Sequence, residues 1–413
     1  MVSEMDEART VPGQGGATQQ LMLEVEPDLS SVLESEISFR WYETVTDISP
    51  DLWNRCFESR YFARSYSYQQ AVEESSPRGV QFHYLVASKE GVVAAIIGCF
   101  RYRIPLSTTA TGTARRAMSF VERFLPDLFS INGFFVGQLT SVCDHLYGFS
   151  QVPPAARSAW LAKCEVAIAK RASYLRSSII IHKEIPGEDL SLVREALGES
   201  YVIAPSLPAM ELSLGSLEPF EQQLRKKYRN HYRRRSRLAQ QRGLCWEVHR
   251  GPLNESLARD IERLYLGVLD RSGTQFERLS SDFFSSLMEH CPGASIVLCW
   301  DGEKLVGFMS NVEADKVFHG LYLGYDTAYR DAAVYFNLIY RSLDVALSKG
   351  YKTISLGQTS YEIKSALGAK RADLHLAIRA RNPFVHALLK CFREHLFPET
   401  IVPIRRAFRV GSR

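Results

Sequence analysis

Between residues 316 and 381 the spacing of apolar positions switches from a strand pattern to a helix pattern and back, and the switches outline a βαβα unit. Residues 317–326 (VFHGLYLGYD) are filled by apolar and aromatic side chains, with glycines that allow close backbone approach, the pattern of a buried strand. Apolar residues then fall at 335, 338, 339, 343, 346 and 347, close to the 3.6-residue period, and Gly350 stands just past the end, where a left-handed cap is wanted. Residues 353–356 predict a second short strand. The run Gly357-Gln358-Thr359-Ser360 turns it into a short helix that carries Tyr361 and Lys364 and stops at Gly368. Two parallel strands joined by a right-handed helical crossover make a crevice at their carboxyl ends, where ligands of open α/β sheets bind. Gln358, Tyr361 and Lys364 occupy that edge, the last two sharing one helix face.

The same alternation appears earlier. Residues 39–45 read as a strand, 51–57 as a helix capped by Ser49 or Asp51, and 67–74 as another helix. Residues 82–87 and 92–101 form a hairpin about Lys89-Glu90-Gly91, and 295–300 and 304–312 form one about Asp301-Gly302. CEVAIAKRASYLRSSIII (164–181) echoes LDVALSKGYKTISL (343–356), both placing V-A-x-x-K in a helix before a β-branched strand. The chain therefore reads as an internal duplication: a tail over 1–36, one domain over 37–206 and a second over 207–413. Between hairpin and helix the first copy carries an insertion, 105–154, with a basic helix near Arg115 to Phe124 and a polar, aromatic run over 137–149; a segment of that length is expected to cover a site. Helix 254–272 presents an apolar stripe to the core, and Gly273-Thr274-Gln275-Phe276 forms a loop on the acceptor side. A helix over 384–395 and a frayed basic tail, Arg405 to Arg409, end the chain.

LGYD, a helix, then KGYKTISLGQTSYEIKSALGA resembles the second half of the GNAT acyltransferase fold. More narrowly it resembles the Fem-like and CelD-like acetyltransferase groups, in which a strand ending in G-x-[ST] is followed by Tyr, Lys and a terminal glycine. The resemblance implies an α/β (α+β) fold of tandem GNAT-like mixed-sheet domains, an acyl-CoA co-substrate whose pantetheine arm lies between two splayed strands, a strand bulge that offers an N–H to the thioester oxyanion, and a helix amino terminus that holds the diphosphate. Arg330-Asp331-Ala332-Ala333-Val334 stands where GNAT enzymes show R/Q-x-x-G-x-G/A, and the glycines are missing. Fem-like proteins, which take aminoacyl-tRNA, share that departure, but the long helical hairpin several of them insert in the second copy has no counterpart in this sequence.

Composition narrows the reading. The 413 residues, 46% hydrophobic and 11% aromatic, supply ample cores, and no apolar run approaches the length of a membrane-spanning helix. The amino terminus has no apolar segment of a secretory signal, so a cytoplasmic location is expected. Eight scattered cysteines without a C-x-x-C pair read as reduced thiols, and the ten histidines show no metal-ligand spacing, so no metal site is predicted. Residues 1–36 hold eight acids and one base; removing that −7 from the chain's +4 leaves +11 on residues 37–413. Residues 225–242 (RKKYRNHYRRRSRLAQQR) concentrate nine of the bases with no acid, on a long helix that starts near Glu218 and ends at Gly243. Such a helix fits an anionic partner: coenzyme A phosphates, an acyl carrier protein, an aminoacyl-tRNA or a sugar nucleotide. Tyr228, His231 and Tyr232 interleave with the bases as in nucleic-acid binders, or pack on the core.

Acyl transfer to an amine needs a group to take the amine's proton and one to protonate the leaving group. Asp326 and Tyr361 are the catalytic candidates; Gln358, Lys364, Arg330, Arg233 and Arg234 are the substrate-binding candidates. Glu313 and His319 are further possibilities, although His319, alone on an apolar strand, reads as a satisfied core histidine. The expectation is an N-acyltransferase that moves an acyl group from acyl-CoA or an acyl carrier protein to a small-molecule or peptide amine. The alternatives are an aminoacyl-tRNA-dependent transferase and a non-catalytic nucleic-acid-binding module.

Overall fold

Two mixed sheets with the same strand order frame the molecule, and the second half lends its last strand to the first sheet. The computed structural model describes residues 37–57, 62–76, 79–105, 130–271 and 278–409. The acidic segment 1–36, the basic stretch near Arg115 to Phe124 and the 273–276 loop expected from the sequence lie outside the described residues. The first half contains β1 (Ile37–Tyr42), α1 (Pro50–Cys56), α2 (Tyr66–Glu74), β2 (Gln81–Lys89), β3 (Val92–Pro105), β4 (Ser130–Val136), β5 (Tyr147–Gly148), α3 (Arg157–Tyr174), β6 (Ile179–Pro186), α4 (Leu190–Leu197) and β7 (Val202–Pro205). The second half contains β8 (Ala209–Ser213), α5 (Phe220–Gln223), α6 (Lys226–Gln241), β9 (Cys245–His249), α7 (Glu255–Leu269), α8 (Ser281–His290), β10 (Ala294–Asp301), β11 (Lys304–Ala314), β12 (Val317–Tyr325), α9 (Val334–Ser348), β13 (Thr353–Ser355), α10 (Tyr361–Ala366), β14 (Lys370–Ala372), β15 (Leu374–Ala380), α11 (Pro383–Cys391) and α12 (Arg393–Leu396).

Local chemistry accounts for the boundaries. Ser49 and Ser65 accept from the backbone N–H of Leu52 and Tyr68 and so cap α1 and α2, with Pro50 at the first helical position. Glu90 and Gly91 both take positive φ, as a two-residue hairpin turn between β2 and β3 requires.

The first sheet runs β1-β2-β3-β4-β6-β15-β7 and the second β9-β10-β11-β12-β13-β8-β14. Among the described residues the one parallel pairing in each sheet is that spanned by the crossover helix, β4 with β6 and β12 with β13. The duplication is therefore real at the level of topology, and it is one strand longer than the sequence pattern indicated. Strand β4 lies within the expected 105–154 insertion and is the counterpart of β12. Its sequence, SINGFFV, places Asn132 and Gly133 mid-strand, which breaks the apolar alternation that would have marked it.

The chain passes from β7 in the first sheet directly to β8 in the second, close to the expected division at 206/207. It later passes from β14 in the second sheet back to β15 in the first, where β15 pairs with β6 and β7. The halves also share a core: Trp53, Tyr68 and Tyr84 from the first pack in one cluster with Ile261, Phe283, Phe284 and Phe308 from the second. His290 on α8 lies 2.8 Å from Glu74 on α2 across this contact.

Two expectations are corrected. The long basic helix breaks between α5 and α6, because Leu224 is buried in an extended conformation and bridges to Phe408. The Arg405 to Arg409 stretch is for the same reason docked rather than frayed: Arg225 N–H donates to Ala407 O (2.9 Å), the Arg225 guanidinium donates to Phe408 O (2.8 Å), and Ala407 is buried.

Candidate active site

Strands β12 and β13 pair only as far as His319 opposite Ser355, and beyond that point a cleft of about 440 Å³ lies between them. One wall is residues 320–323 of β12; the other is 355–360, the end of β13 and its turn. Tyr335 and Ile339 of α9, Lys364 of α10, and Tyr265, Val268 and Leu269 of α7 complete it, and Ser141, Val142 and Cys143 of the first half close over it.

Two irregularities shape the cleft. The β11–β12 register runs Met309↔Leu323 and then Asn311↔Gly320, so Leu321 and Tyr322 together face Ser310 in a bulge. The Ser310 hydroxyl fills the gap, accepting from Tyr322 N–H (3.1 Å) and donating to Tyr322 O (3.3 Å). On the other side Gly357, Thr359 and Ser360 all take left-handed φ, at +66°, +62° and +52°. A threonine there is strained by about 1–3 kcal/mol, and such strain concentrates where a ligand is handled.

Lys364 is the main electrostatic feature. Its side chain is buried, and Nζ donates to the carbonyls of Gly357 (3.3 Å) and Gln358, with no carboxylate among its hydrogen-bond partners in the described residues. Burial pushes its pKa down to about 7, with Cys143 acting weakly in the opposite sense. His319 lies on the cleft floor with its ring 4.5 Å from Phe62 of the first half, and burial pushes it down to about 4, so it is neutral near pH 7. The half-buried Gln358 lines the cleft and donates to Leu207 O (3.0 Å).

Other sequence candidates lie outside the cleft lining. Asp326 caps the following turn through Ala328 N–H (3.0 Å) and pairs with Lys304 (2.9 Å), whose hydrogen bond holds the carboxyl below its ordinary range. The Tyr361 hydroxyl donates to Pro208 O (3.2 Å), so the expected catalytic pair is not brought together. Glu313 pairs with Lys349. Arg330 and Arg234 are exposed, and Arg233 pairs with Glu221.

The basic helix α6 borders the amino terminus of α9. Arg235 stacks 3.4 Å over Phe336 and donates to the Tyr340 hydroxyl (3.2 Å), while Asn337 donates to Arg235 O (3.1 Å) and Ala333 O (3.0 Å). Tyr228 and Tyr232 pack on the core. A second cavity of about 370 Å³ between α6, α9 and α10 is lined by Lys227, His231, Arg235 and Arg405. Ala333, in the segment where the glycines are missing, takes φ +56° at the start of α9, and no side chain caps that helix. The backbone conformation glycine would favour is thus adopted by alanine.

Sequence reasoning placed Gln358 and Lys364 at the cleft edge and expected the 105–154 segment to cover a site; Ser141 to Cys143 of that segment line the cleft. It missed Tyr265 and Tyr322, since an apolar stripe does not reveal which of its members wall a cavity.

No curated protein matches the chain by sequence. Residues 226–365 match the model of the acetyltransferase (GNAT) domain, the span that contains both strands of the cleft and Lys364. The crystal structure of FemX is similar at a TM-score of 0.52 and 10% identity, covering 86% of this chain and 100% of that one. L-PGS from Bacillus licheniformis gives a TM-score of 0.47 at 12% identity over 81% and 96%, and a tandem GNAT protein from the clavulanic acid biosynthesis pathway 0.49 at 12% over 84% and 99%.

Proposed function

We propose that this chain, a GNAT-type transferase with a Fem-like tandem architecture, moves an acyl group from a thioester to an amine in the cleft between β12 and β13. The observation that carries the reading is a buried lysine, held by backbone carbonyls and with no carboxylate partner among the described residues, at the open end of two splayed strands. With its pKa brought near 7, a large share of Lys364 is neutral at physiological pH, in the range where a general base works best. In this reading the acceptor nitrogen forms a bond to the thioester carbonyl carbon, the carbon–sulfur bond breaks, the sulfur leaves as a thiolate and takes up a proton, and Lys364 Nζ accepts the proton lost from nitrogen. The bulge at Leu321–Tyr322 supports placing the carbonyl oxygen against the β12 backbone.

The donor's anionic end suits the side of α6. Arg235 stands beside the uncapped start of α9, and the +56° φ of Ala333 gives that start the form a phosphate needs despite the missing glycines. Acyl-CoA fits this arrangement, and so does the phosphopantetheine of an acyl carrier protein. The aminoacyl-tRNA alternative draws no support from a projecting arm, since α7 and α8 contribute Ile261, Leu264, Phe283 and Phe284 to the shared core.

Release of free thiol from acetyl-CoA and longer acyl-CoA, measured with and without a panel of amines, tests the proposal. Amine-dependent release is expected. Absence of release from every acyl-CoA and acyl carrier protein offered, with transfer from aminoacyl-tRNA, would overturn the thioester donor.

A further inference from the structure

Helix α11 packs on the edge of the first sheet, yet none of its residues is buried. Phe384, Val385, Leu388 and Phe392 are all exposed, Phe384 at 71% and Phe392 at 52%. Spaced at i, i+1, i+4 and i+8, they fall on one arc of a helical wheel. The opposite side holds the helix in place, with His386 accepting from Ala380 N–H (3.4 Å). Residues 381–396 carry three arginines and lysines, Arg381, Lys390 and Arg393, all exposed, against one acid, Glu394. No helix among the described residues is long and apolar enough to cross a membrane, and a patch of this kind calls for a covering partner, because monomers rarely leave contiguous apolar surface bare.

We propose that this face docks on a lipid bilayer that carries anionic headgroups, with the aromatic arc at the acyl boundary and the basic residues at the phosphates. The charge selects the occupant. A second copy placed face to face would set one basic excess against the other, whereas an anionic surface complements it, and apolar side chains beside arginine and lysine are the composition of interfacial helices. The face belongs to the first sheet's edge and is separate from the cleft residues, so the proposal stands or falls independently of the acyl-transfer reading.

Flotation of the full chain with vesicles of phosphatidylcholine alone and of phosphatidylcholine mixed with phosphatidylglycerol tests it. Binding is expected to the mixed vesicles, weakened by salt. The double variant Phe384→Ser with Phe392→Ser, and separately Lys390→Glu with Arg393→Glu, should each lower the partition coefficient by about tenfold or more. All four positions are exposed, so thermal melts should match wild type. The proposal is overturned by equal binding to both vesicle types or by no binding to either. It is equally overturned if the aromatic variant instead dissolves a dimer seen in sedimentation, or if only a chain lacking the acidic residues 1–36 binds, which would assign the face to that segment.

Discussion

The two sheets end their parallel strand pairs in opposite ways. In the first, the pairing of β4 with β6 ends at Val136 opposite His182, and the Tyr147 hydroxyl meets His182 Nδ1 there at 2.8 Å. His182 Nε2 in turn contacts Glu165 (3.1 Å), and Tyr201 bonds the other oxygen of that carboxylate. Every group in this chain of contacts is buried and partnered by another side chain. In the second sheet the pairing ends at His319 opposite Ser355, the histidine faces a phenylalanine, and the buried lysine leans on backbone carbonyls beside an open cleft. A closed polar network stabilises and specifies one packing, while buried groups held only by backbone retain capacity for a ligand. One topology thus yields a closed polar network in one copy and an open cleft in the other.

Breaking the second end should have the largest effect. Lys364→Met is expected to lower kcat by about a hundredfold or more with little change in KM, and to remove a rising limb of the pH–rate profile centred near 7. The same variant reads out the cost of burial. Because the folded pKa of Lys364 lies below its unfolded value of about 10.4, the unfolded chain binds the extra proton between the two, so wild-type stability should climb from about pH 7 to about pH 10 and lie flat below that window. Denaturant titrations across that range should show the climb in wild type and not in the variant.

Gly324→Ala sharpens the contrast from the packing side. A Cβ there would sit 2.6 Å from the carbonyl carbon of Leu264 and 2.7 Å from its oxygen, so α7, which walls the cleft, has to move. A loss of about 3 kcal/mol is expected from denaturant unfolding, with reduced activity in the folded fraction. Glu165→Gln tests the first end: about 2 kcal/mol lost on unfolding, with kcat and KM at wild-type values. A fall in kcat there would mean that the first copy takes part in the reaction. Tyr361→Phe should be the mildest, about 1 kcal/mol for the lost bond to Pro208 and near-normal turnover by steady-state kinetics.

Much of this contrast was legible in the chain, and the part that was not has physical causes. Hairpins, crossover helices and the Gly357–Ser360 turn follow from local periodicity and turn chemistry, so Gln358 and Lys364 were found at the crevice. A strand-end aspartate looks alike in sequence whether it faces a cleft or caps a turn, and Asp326 is held at the turn by Lys304, a residue from the neighbouring strand. Lys364 shares the cleft lining with Ser141 to Cys143 of the other half, a juxtaposition across more than two hundred residues that no local pattern encodes. The exchanged strand was invisible for the same reason, since β14 and β15 read as one continuous segment.

The exchange also fixes when the molecule can finish folding during synthesis. Strand β7 reaches its own sheet only through β15, which is translated about 170 residues later, so the first sheet waits incomplete while the second is being made. A nascent chain halted just after β14 would hold every strand of the second sheet and would expose the unpaired rim of the first, the rim to which a holdase chaperone or another nascent chain would bind.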